Sequence, residues 1–222
     1  MLKVQLPILF EDGKMMYDAV LAMIHRASPV LATLIHDNPF YNPFSLQLPD
    51  IVMVLGLELE PIFKSIPNIT ILEEKSHLEL LDAEYNQSGI LLDFFNVTFR
   101  SKGFDCPLPV PEKILLSLKE RWNQLYPEKI SIHIPFPGEK TREITVVKFM
   151  NIHTRQHKVG DYPTYTVFYG KVGLQAFGSD QYIHDFNVLM RFAEWAGVGY
   201  KRQMGMGVTK ILASGVKSER VG

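Results

Sequence analysis

A glycine-rich stretch near the C-terminus carries the residue types best suited to holding a phosphate. It contains two G-x-G pairs, formed by Gly197, Gly199, Gly205 and Gly207. The dipeptide Lys201-Arg202 lies between the two pairs. Glycine allows positive φ angles and close approach to another molecule, and successive N–H groups in such turns form an anion-binding concavity. With two added positive charges, this loop suits a phosphate-bearing ligand.

The same spacing is also typical of a purely structural connection. The stretch is neither a P-loop nor a dinucleotide-binding fingerprint, since a helix precedes the glycines and a strand at 208–212 follows them. Glycine is the usual residue of tight connections, so the loop would equally let a helix cross closely under a sheet. From spacing alone, both interpretations stay open.

Length and composition describe an ordinary globular chain. Its 222 residues permit one large domain or two small ones. The formal net charge is −1, so any basic surface for a nucleic acid must be local. No apolar run approaches the roughly 20 residues of a membrane span, and we recognise no signal peptide. With Cys106 as the single cysteine, we expect a cytoplasmic protein without membrane contact.

Positive charge is concentrated in two segments. Residues 191–210 hold four cationic side chains against one acidic residue, Glu194; the four are Arg191, Lys201, Arg202 and Lys210. The second segment contains His153, Arg155, His157 and Lys158, which would form a loop over a bound ligand or an exposed solvated loop. The histidines lack the paired thiolates or helical spacing of a zinc site. We therefore expect no metal and no cofactor.

Hydrophobic periodicity divides the chain into two similar halves. In the first, we predict helices at 14–27, 29–35 and 61–66 and strands at 1–10, 42–48, 51–59, 69–72 and 78–83. In the second, we predict a helix beginning at residue 111, a helix at 182–196, and strands at 90–100, 131–135, 143–152, 165–177 and 208–212.

Each half therefore follows the β-α-β-β-α-β order of a ferredoxin-like fold. We predict an α+β protein with two tandem ferredoxin-like (RRM-like) domains. The polar turn at 86–89 places the boundary, giving an N-terminal domain over 1–88 and a C-terminal domain over 89–222.

The glycine-rich stretch, with the sequence FAEWA before it, resembles the C-terminal signature of a known family. The family is the CRISPR-associated endoribonucleases that cut precursor CRISPR RNA within its repeats, the sixth-numbered Cas protein type of the RAMP superfamily. Three further stretches resemble it in the right order. These are LIHD with NPFSL after it (34–46), VTFR (97–100), and the proline loop PLPVP followed by LKERWN (107–123).

The resemblance implies a cleft between two ferredoxin-like domains that holds repeat RNA, and a cleavage that needs no metal. The 2′-hydroxyl before the cut attacks the adjacent phosphorus and leaves a 2′,3′-cyclic phosphate and a 5′-hydroxyl. It also implies that His36 is the general acid or base, which histidine can be near neutral pH. From the residues alone, a surface histidine capping a helix C-terminus would be favoured.

The resemblance leaves the second catalytic group open. Some relatives pair the histidine with a tyrosine upstream and a lysine shortly after it. Here Tyr17 lies upstream, but no lysine occurs between Asp37 and Asp50. Our candidate catalytic residues are therefore His36, Tyr17 and Ser45, while Lys201 or Arg202 would bind phosphate or stabilise the transition state. The candidate RNA-binding residues are Gly197, Gly199, Lys201, Arg202, Gly205, Gly207, Arg191, Arg155 and Lys158.

Three functions are compatible with these features. The first is a metal-independent endoribonuclease acting on CRISPR repeat RNA. The alternative is a non-catalytic RNA-binding scaffold subunit of a CRISPR interference complex, which the missing lysine and neutral net charge motivate. A third, a module binding a small phosphorylated metabolite, requires only the glycine loop. Association with interference-complex subunits and a monomeric or homodimeric state stay open.

Overall fold

The computed structural model describes residues 1–38, 41–83, 85, 87–135, 139, 141 and 143–214. Two four-stranded antiparallel sheets form its framework.

The N-terminal sheet comprises β1 (Leu2–Gln5), β2 (Phe44–Gln47), β3 (Ile51–Val54) and β4 (Thr70–Glu74), in the spatial order β2-β3-β1-β4. Its helices are α1 (Gly13–Ala27), α2 (Pro29–Asp37), α3 (Glu60–Ser65) and α4 (His77–Leu81). As predicted, Ser28 caps α2, and its side chain accepts a hydrogen bond from the Leu31 N–H. Because proline lacks an N–H, Pro29 fits the first turn of this helix.

The C-terminal half repeats the arrangement with longer elements. They are β5 (Gly89–Val97), β6 (Phe99–Ser101), β7 (Phe104–Cys106), α5 (Pro111–Leu125), β8 (Ile144–His157), β9 (Tyr165–Phe177), α6 (Asp180–Ala196), a 3-10 turn (Arg202–Met204) and β10 (Val208–Ser214). The main sheet has the order β10-β5-β9-β8. In both sheets the first and third strands in chain order are central, with the fourth beside the first and the second beside the third. The predicted tandem ferredoxin-like fold is therefore confirmed.

Two predicted strands were wrong. Residues 78–83 begin as helix α4, because Ser76 and Glu79 form a capping box at its start. His77 is consequently a buried residue stacked on Tyr126, with ring centroids 4.2 Å apart, and not a surface strand residue. Residues 131–135, with His133, form no strand. The proposed boundary at 88/89 precedes the first strand of the second sheet and stays a prediction.

One arginine of α5 joins the two halves of the molecule. Arg121 is 1% exposed, and its guanidinium donates to the carbonyls of Asn42, Phe44 and Ala196. Burial lowers the pKa of Arg121 well below its usual value, and the nearby Arg202 lowers it further. The guanidinium thus fixes the segment before β2 against the end of α6.

Candidate active site

A cavity of about 230 Å³ opens where the two halves meet. Its lining combines α1, α2 and the segment before β2 with the glycine-rich loop and the β8–β9 connection. The lining residues are Tyr17, Ile35, His36, Asn42, Tyr162, Gly199, Tyr200, Lys201, Arg202, Gln203 and Met204. The cavity therefore brings together His36, Tyr17 and the cationic loop, which lie far apart in the sequence.

The N-terminal wall of the cavity is built from the ends and faces of two helices. His36 is exposed and occupies the last turn of α2, where the Asn38 N–H closes the helix onto the Leu34 carbonyl. Tyr17, on the buried face of α1, is 8% exposed and stacks on Phe44 at 6.0 Å. Burial raises the pKa of Tyr17, so its hydroxyl stays protonated at neutral pH and can donate a hydrogen bond.

The C-terminal wall is the glycine-rich loop, and its glycines permit close backbone crossings. A Cβ at Gly199 would lie 2.4 Å from the Thr98 carbonyl oxygen, and one at Gly207 would lie 2.1 Å from the Val198 carbonyl oxygen. Both residues have positive φ angles, +86° and +74°. Only glycine satisfies both demands, so these positions set the shape of the loop.

The amide concavity expected for this loop is not formed by the glycines. Each glycine N–H donates within the protein. The Gly199 N–H donates to the Ser117 hydroxyl. The other three donate to backbone carbonyls: Gly197 to Ala193, Gly205 to Arg202, and Gly207 to Asn96. An anion could reach these N–H groups only if the bonds broke. The loop therefore offers a ligand its side chains.

Lys201 and Arg202 are the cationic side chains of this wall. Lys201 has φ 57°, and its Nζ lies 4.1 Å from the Tyr162 ring centroid and 5.5 Å from that of Tyr200. Arg202 donates to the Ser117 hydroxyl at 2.9 Å. Burial lowers the pKa of Arg202 to about 10, so it remains charged at neutral pH. Aromatic rings and a hydroxyl hold these cations, which leaves their charge available to an anion.

A larger, adjoining cavity of about 560 Å³ extends this positive region. It shares Asn42, Gly199, Tyr200 and Arg202 with the first cavity and adds Arg100 and Lys113. The guanidinium of Arg100 lies 5.3 Å from the Tyr200 ring centroid. The two cavities together form a groove beside His36 in which the cations outnumber the one lining carboxylate, that of Glu120.

Ser45 does not line either cavity, contrary to the sequence-based expectation. It is 4% exposed, and its hydroxyl donates to the Trp195 carbonyl at 2.7 Å. Strand β2 is covered on both faces, so the hydroxyl is used to attach β2 to α6. Its position does not support the catalytic role predicted for it.

Six predicted RNA-binding residues also lie outside the cavity lining: Gly197, Gly205 and Gly207 of the loop, and the three cations Arg191, Arg155 and Lys158. Arg191, on α6, has its guanidinium 4.8 Å from the Tyr85 ring centroid. Arg155, on β8, donates to the Asn96 side chain at 2.7 Å. Lys158 is exposed just after β8 ends. The structure therefore brings only part of the predicted binding set to the histidine.

Several lining residues were missed by the sequence analysis. Tyr162 comes from the β8–β9 connection, where no periodicity marks a functional position. Asn42 follows the histidine helix, and Tyr200 and Gln203 flank the Lys-Arg pair within the glycine-rich stretch. For these three, proximity in sequence to the recognised motifs was the available signal.

The fold and the cavity define a class of protein with two ferredoxin-like domains and a histidine opposite a cationic glycine-rich loop. Sequence comparison identifies the family. Residues 93–209, more than half of the chain, match the family model described as CRISPR-associated endoribonuclease Cas6. The chain therefore belongs to the Cas6 family. No curated protein matches it in sequence.

Solved Cas6 structures share the fold across almost the whole chain. Cas6 (TTHB231) from Thermus thermophilus, solved as a product complex, has a TM-score of 0.74 and 20% identity, covering 95% of this chain and 99% of that one. Cas6 (TTHA0078), also a product complex, has a TM-score of 0.75 and 19% identity, covering 95% and 98%. The product of a Cas6-related gene from Pyrococcus furiosus has a TM-score of 0.58 and 13% identity, covering 95% and 98%.

Among the described residues, no helix is both long and apolar enough to cross a bilayer. In the same part of the chain, histidine, cysteine and carboxylate side chains form no group of three or more that could hold a metal ion.

Proposed function

We propose that this protein cleaves CRISPR repeat RNA without a metal ion, through attack of a 2′-hydroxyl on the adjacent phosphorus. The observation that carries the proposal is the shared cavity of His36 and Lys201, one from each domain. Membership of the Cas6 family supports an RNA-cleaving activity. The product and substrate-mimic complexes of fold relatives support repeat RNA as the ligand.

In this reaction, His36 acts as the general acid or base. A bond forms between the 2′-oxygen and phosphorus while the bond from phosphorus to the 5′-oxygen breaks. A cation is stabilised at the carboxyl end of a helix, and His36 occupies the last turn of α2. We assign His36 the donation of a proton to the leaving 5′-oxygen, with the 2′-hydroxyl proton passing to water.

The other polar groups of the cavity stabilise the charged phosphorane. Lys201 supplies an ammonium from the opposite wall, taking the part of the lysine that is missing after His36. Tyr17, whose raised pKa keeps the hydroxyl protonated, donates a hydrogen bond to a phosphoryl oxygen. Preorganised donors of this kind lower the barrier because they already point at the position where negative charge develops.

The adjoining groove positions the RNA backbone. Arg100, Lys113 and Arg202 line it, and their charges suit successive phosphates. Binding through phosphates releases counterions and weakens steeply as salt is raised. RNA affinity should therefore fall with salt, whereas binding of a small phosphorylated metabolite would be much less sensitive.

The test uses a cognate repeat RNA and the same RNA with a single 2′-deoxy nucleotide before the cut. We expect cleavage of the first in excess EDTA, with 2′,3′-cyclic phosphate and 5′-hydroxyl ends identified by mass spectrometry. The deoxy RNA should bind equally well and remain intact. A metal requirement, or cleavage of the deoxy RNA, would contradict the mechanism. Tight binding without any product would instead identify the non-catalytic scaffold.

A further inference from the structure

One face of the C-terminal sheet is left open by the helices. On β5 and β9, every second residue points towards α5 and α6 and is buried: Ile90, Leu92, Phe94, Val172, Leu174 and Ala176. The alternating residues point to the opposite face. The N-terminal domain covers only the start of β9 on that face, where Tyr165 and Val167 are buried among its core residues. From Tyr169 onward the face is left uncovered by that contact, and α6 meets β2 and β3 on the helix side.

Two aromatic side chains lie on adjacent strands of this open face. Phe95, on β5, is 41% exposed, and Tyr169, on β9, follows the buried Phe168 and so points the other way. The register pairs Phe94 with Gly170 and Val97 with Phe168. Phe95 and Tyr169 are therefore neighbours on the two central strands of the sheet.

Cations surround both rings. The Lys210 Nζ lies 5.7 Å from the Phe95 centroid, and the Arg155 guanidinium lies 5.2 Å from the Tyr169 centroid. His153 stacks on Tyr169 with centroids 5.4 Å apart. The two rings and these positive charges lie on the same face of the sheet.

The strand register adds further charge to the same face. Asp93 pairs with Lys210 on one side and with Lys171 on the other, and Lys148 pairs with Gly173 in the next row. Lys148, Lys171 and Lys210 are all exposed. Within the described residues of these rows, the cations outnumber the single carboxylate of Asp93.

We propose that this face is a second RNA-binding surface, on which Phe95 and Tyr169 stack unpaired bases while the lysines and Arg155 contact phosphates. In RRM domains, aromatic residues of the four-stranded sheet stack two or three bases, and here the rings occupy the two central strands of such a sheet. Lysine is depleted at protein–protein interfaces, so the three exposed lysines favour RNA over a protein partner. Stacking tolerates any base; the ligand class is thus single-stranded RNA, such as sequence flanking the cut. The inference does not depend on the cavity assignment.

The test measures binding of a short unstructured RNA by fluorescence anisotropy. Phe95→Leu and Tyr169→Leu remove a ring and keep an apolar side chain. Stacking on an aromatic ring contributes enough that each variant should weaken binding about 5-fold or more. Tyr169→Phe, which keeps the ring, should bind like the wild type.

The matched control is Phe149→Leu. Phe149 is an aromatic residue of the same sheet and is 56% exposed. It pairs with the buried Val172, so it lies on the side of the sheet that faces the helices. This variant should bind the unstructured RNA within about twofold of the wild type, since it removes a ring without touching the proposed surface.

The salt dependence provides a second readout. Each of Lys171→Gln and Lys210→Gln should reduce the slope of log affinity against log salt by about 0.7, the value for one phosphate contact on a single strand. Cleavage of a minimal RNA carrying only the cut site should be unchanged in these variants. Phe95→Leu and Tyr169→Leu variants that fold, as checked by thermal unfolding, yet bind the RNA like Phe149→Leu would overturn the proposal. So would an altered oligomeric state with unchanged RNA affinity, which would identify a protein interface.

Discussion

The two walls of the cavity are held in place in different ways. In the C-terminal wall, close crossings at Gly199 and Gly207 and hydrogen bonds from the glycine N–H groups fix the backbone. In the N-terminal wall, His36 is an exposed side chain in the last turn of a nine-residue helix. The first wall is thus determined by backbone shape and the second by side-chain chemistry. Substitutions of the glycines in the first should change stability, and substitutions of its cations should change affinity and rate together. Substitution of His36 in the second should change the rate alone.

The largest effect is expected for His36→Ala. Loss of a positioned general acid or base typically costs about 10²–10⁴-fold in rate, so single-turnover cleavage should fall by that factor while RNA affinity stays within about threefold. His25→Ala is the matched control, since His25 lies beside His36 in the groove between α1 and α2 but does not line the cavity. Equal losses in both variants, or none in His36→Ala, would remove the distinction between the walls.

Arg121→Met tests what joins the walls. The change leaves three backbone carbonyls without the donors that Arg121 supplies, and breaking a buried charged network typically costs about 3–5 kcal/mol. We expect a loss of that order in the free energy of unfolding, measured in urea. Lys119→Met is the control on the same helix, because Lys119 donates one bond, to the Ile132 carbonyl, and should cost about 1 kcal/mol. A similar cost for both would show that Arg121 does not join the halves.

Gly207→Ala tests the backbone origin of the C-terminal wall. The new Cβ would lie 2.1 Å from the Val198 carbonyl oxygen, so both a clash and left-handed strain are added, together about 3 kcal/mol. Gly103→Ala is the control, because Gly103 has φ +87° and nothing within 4 Å of the added Cβ. It should lose only about 1 kcal/mol. Thermal unfolding of the two variants separates the clash from the strain.

Lys201→Gln should have a smaller effect. Removing one ammonium from the cavity should lower single-turnover cleavage and RNA affinity together by about 10-fold, equivalent to about 1.4 kcal/mol. Lys102→Gln is a close control, since Lys102 is also a lysine at positive φ, here 50°, and is exposed at the tip of the β6–β7 hairpin. If the cleavage rate fell and RNA affinity did not, Lys201 would act on the reaction, as His36 does, and not on binding.

Much of the fold could be predicted because local signals and tertiary structure agree. Hydrophobic alternation predicted β9 correctly over 165–177, and Ser28-Pro29 marked the start of α2. The capping box at 76–79 was also present in the sequence, yet the apolar residues after it were interpreted as a strand. A five-residue helix is too short for periodicity to distinguish it from a strand.

The site was less predictable, because its geometry depends on contacts between the domains. Nothing in the sequence indicates that Ser45 faces α6, since alternation fails for a strand buried on both faces. Arginine is almost never fully buried unless paired, so Arg121 would be expected at the surface. Tyr162 reaches the cavity only because the β8–β9 connection folds back over the N-terminal domain.

The smallest effect is expected at Asp12, which connects that β8–β9 segment to α1. Its carboxylate caps α1 by accepting from the N–H groups of Lys14 and Met15, and it accepts from the Gly160 N–H at 2.7 Å. Burial alone would raise the pKa of Asp12, but these bonds outweigh it and lower the pKa. A lowered carboxylate pKa stabilises the fold above the unfolded value of about 4, and the contribution is lost as pH falls through the folded value.

Asp12→Ala should therefore cost about 1 kcal/mol at neutral pH, the usual value of a lost N-cap. The difference from the wild type should shrink below about pH 4, where the unfolded carboxyl is protonated and the wild type loses its advantage. Urea unfolding at pH 7 and at successively lower pH measures this difference. A cost that stayed constant with pH would show that shape, and not the charge of Asp12, holds the β8–β9 connection against α1. The contact between the β8–β9 connection and α1 would then depend on backbone geometry, as the shape of the glycine-rich loop does.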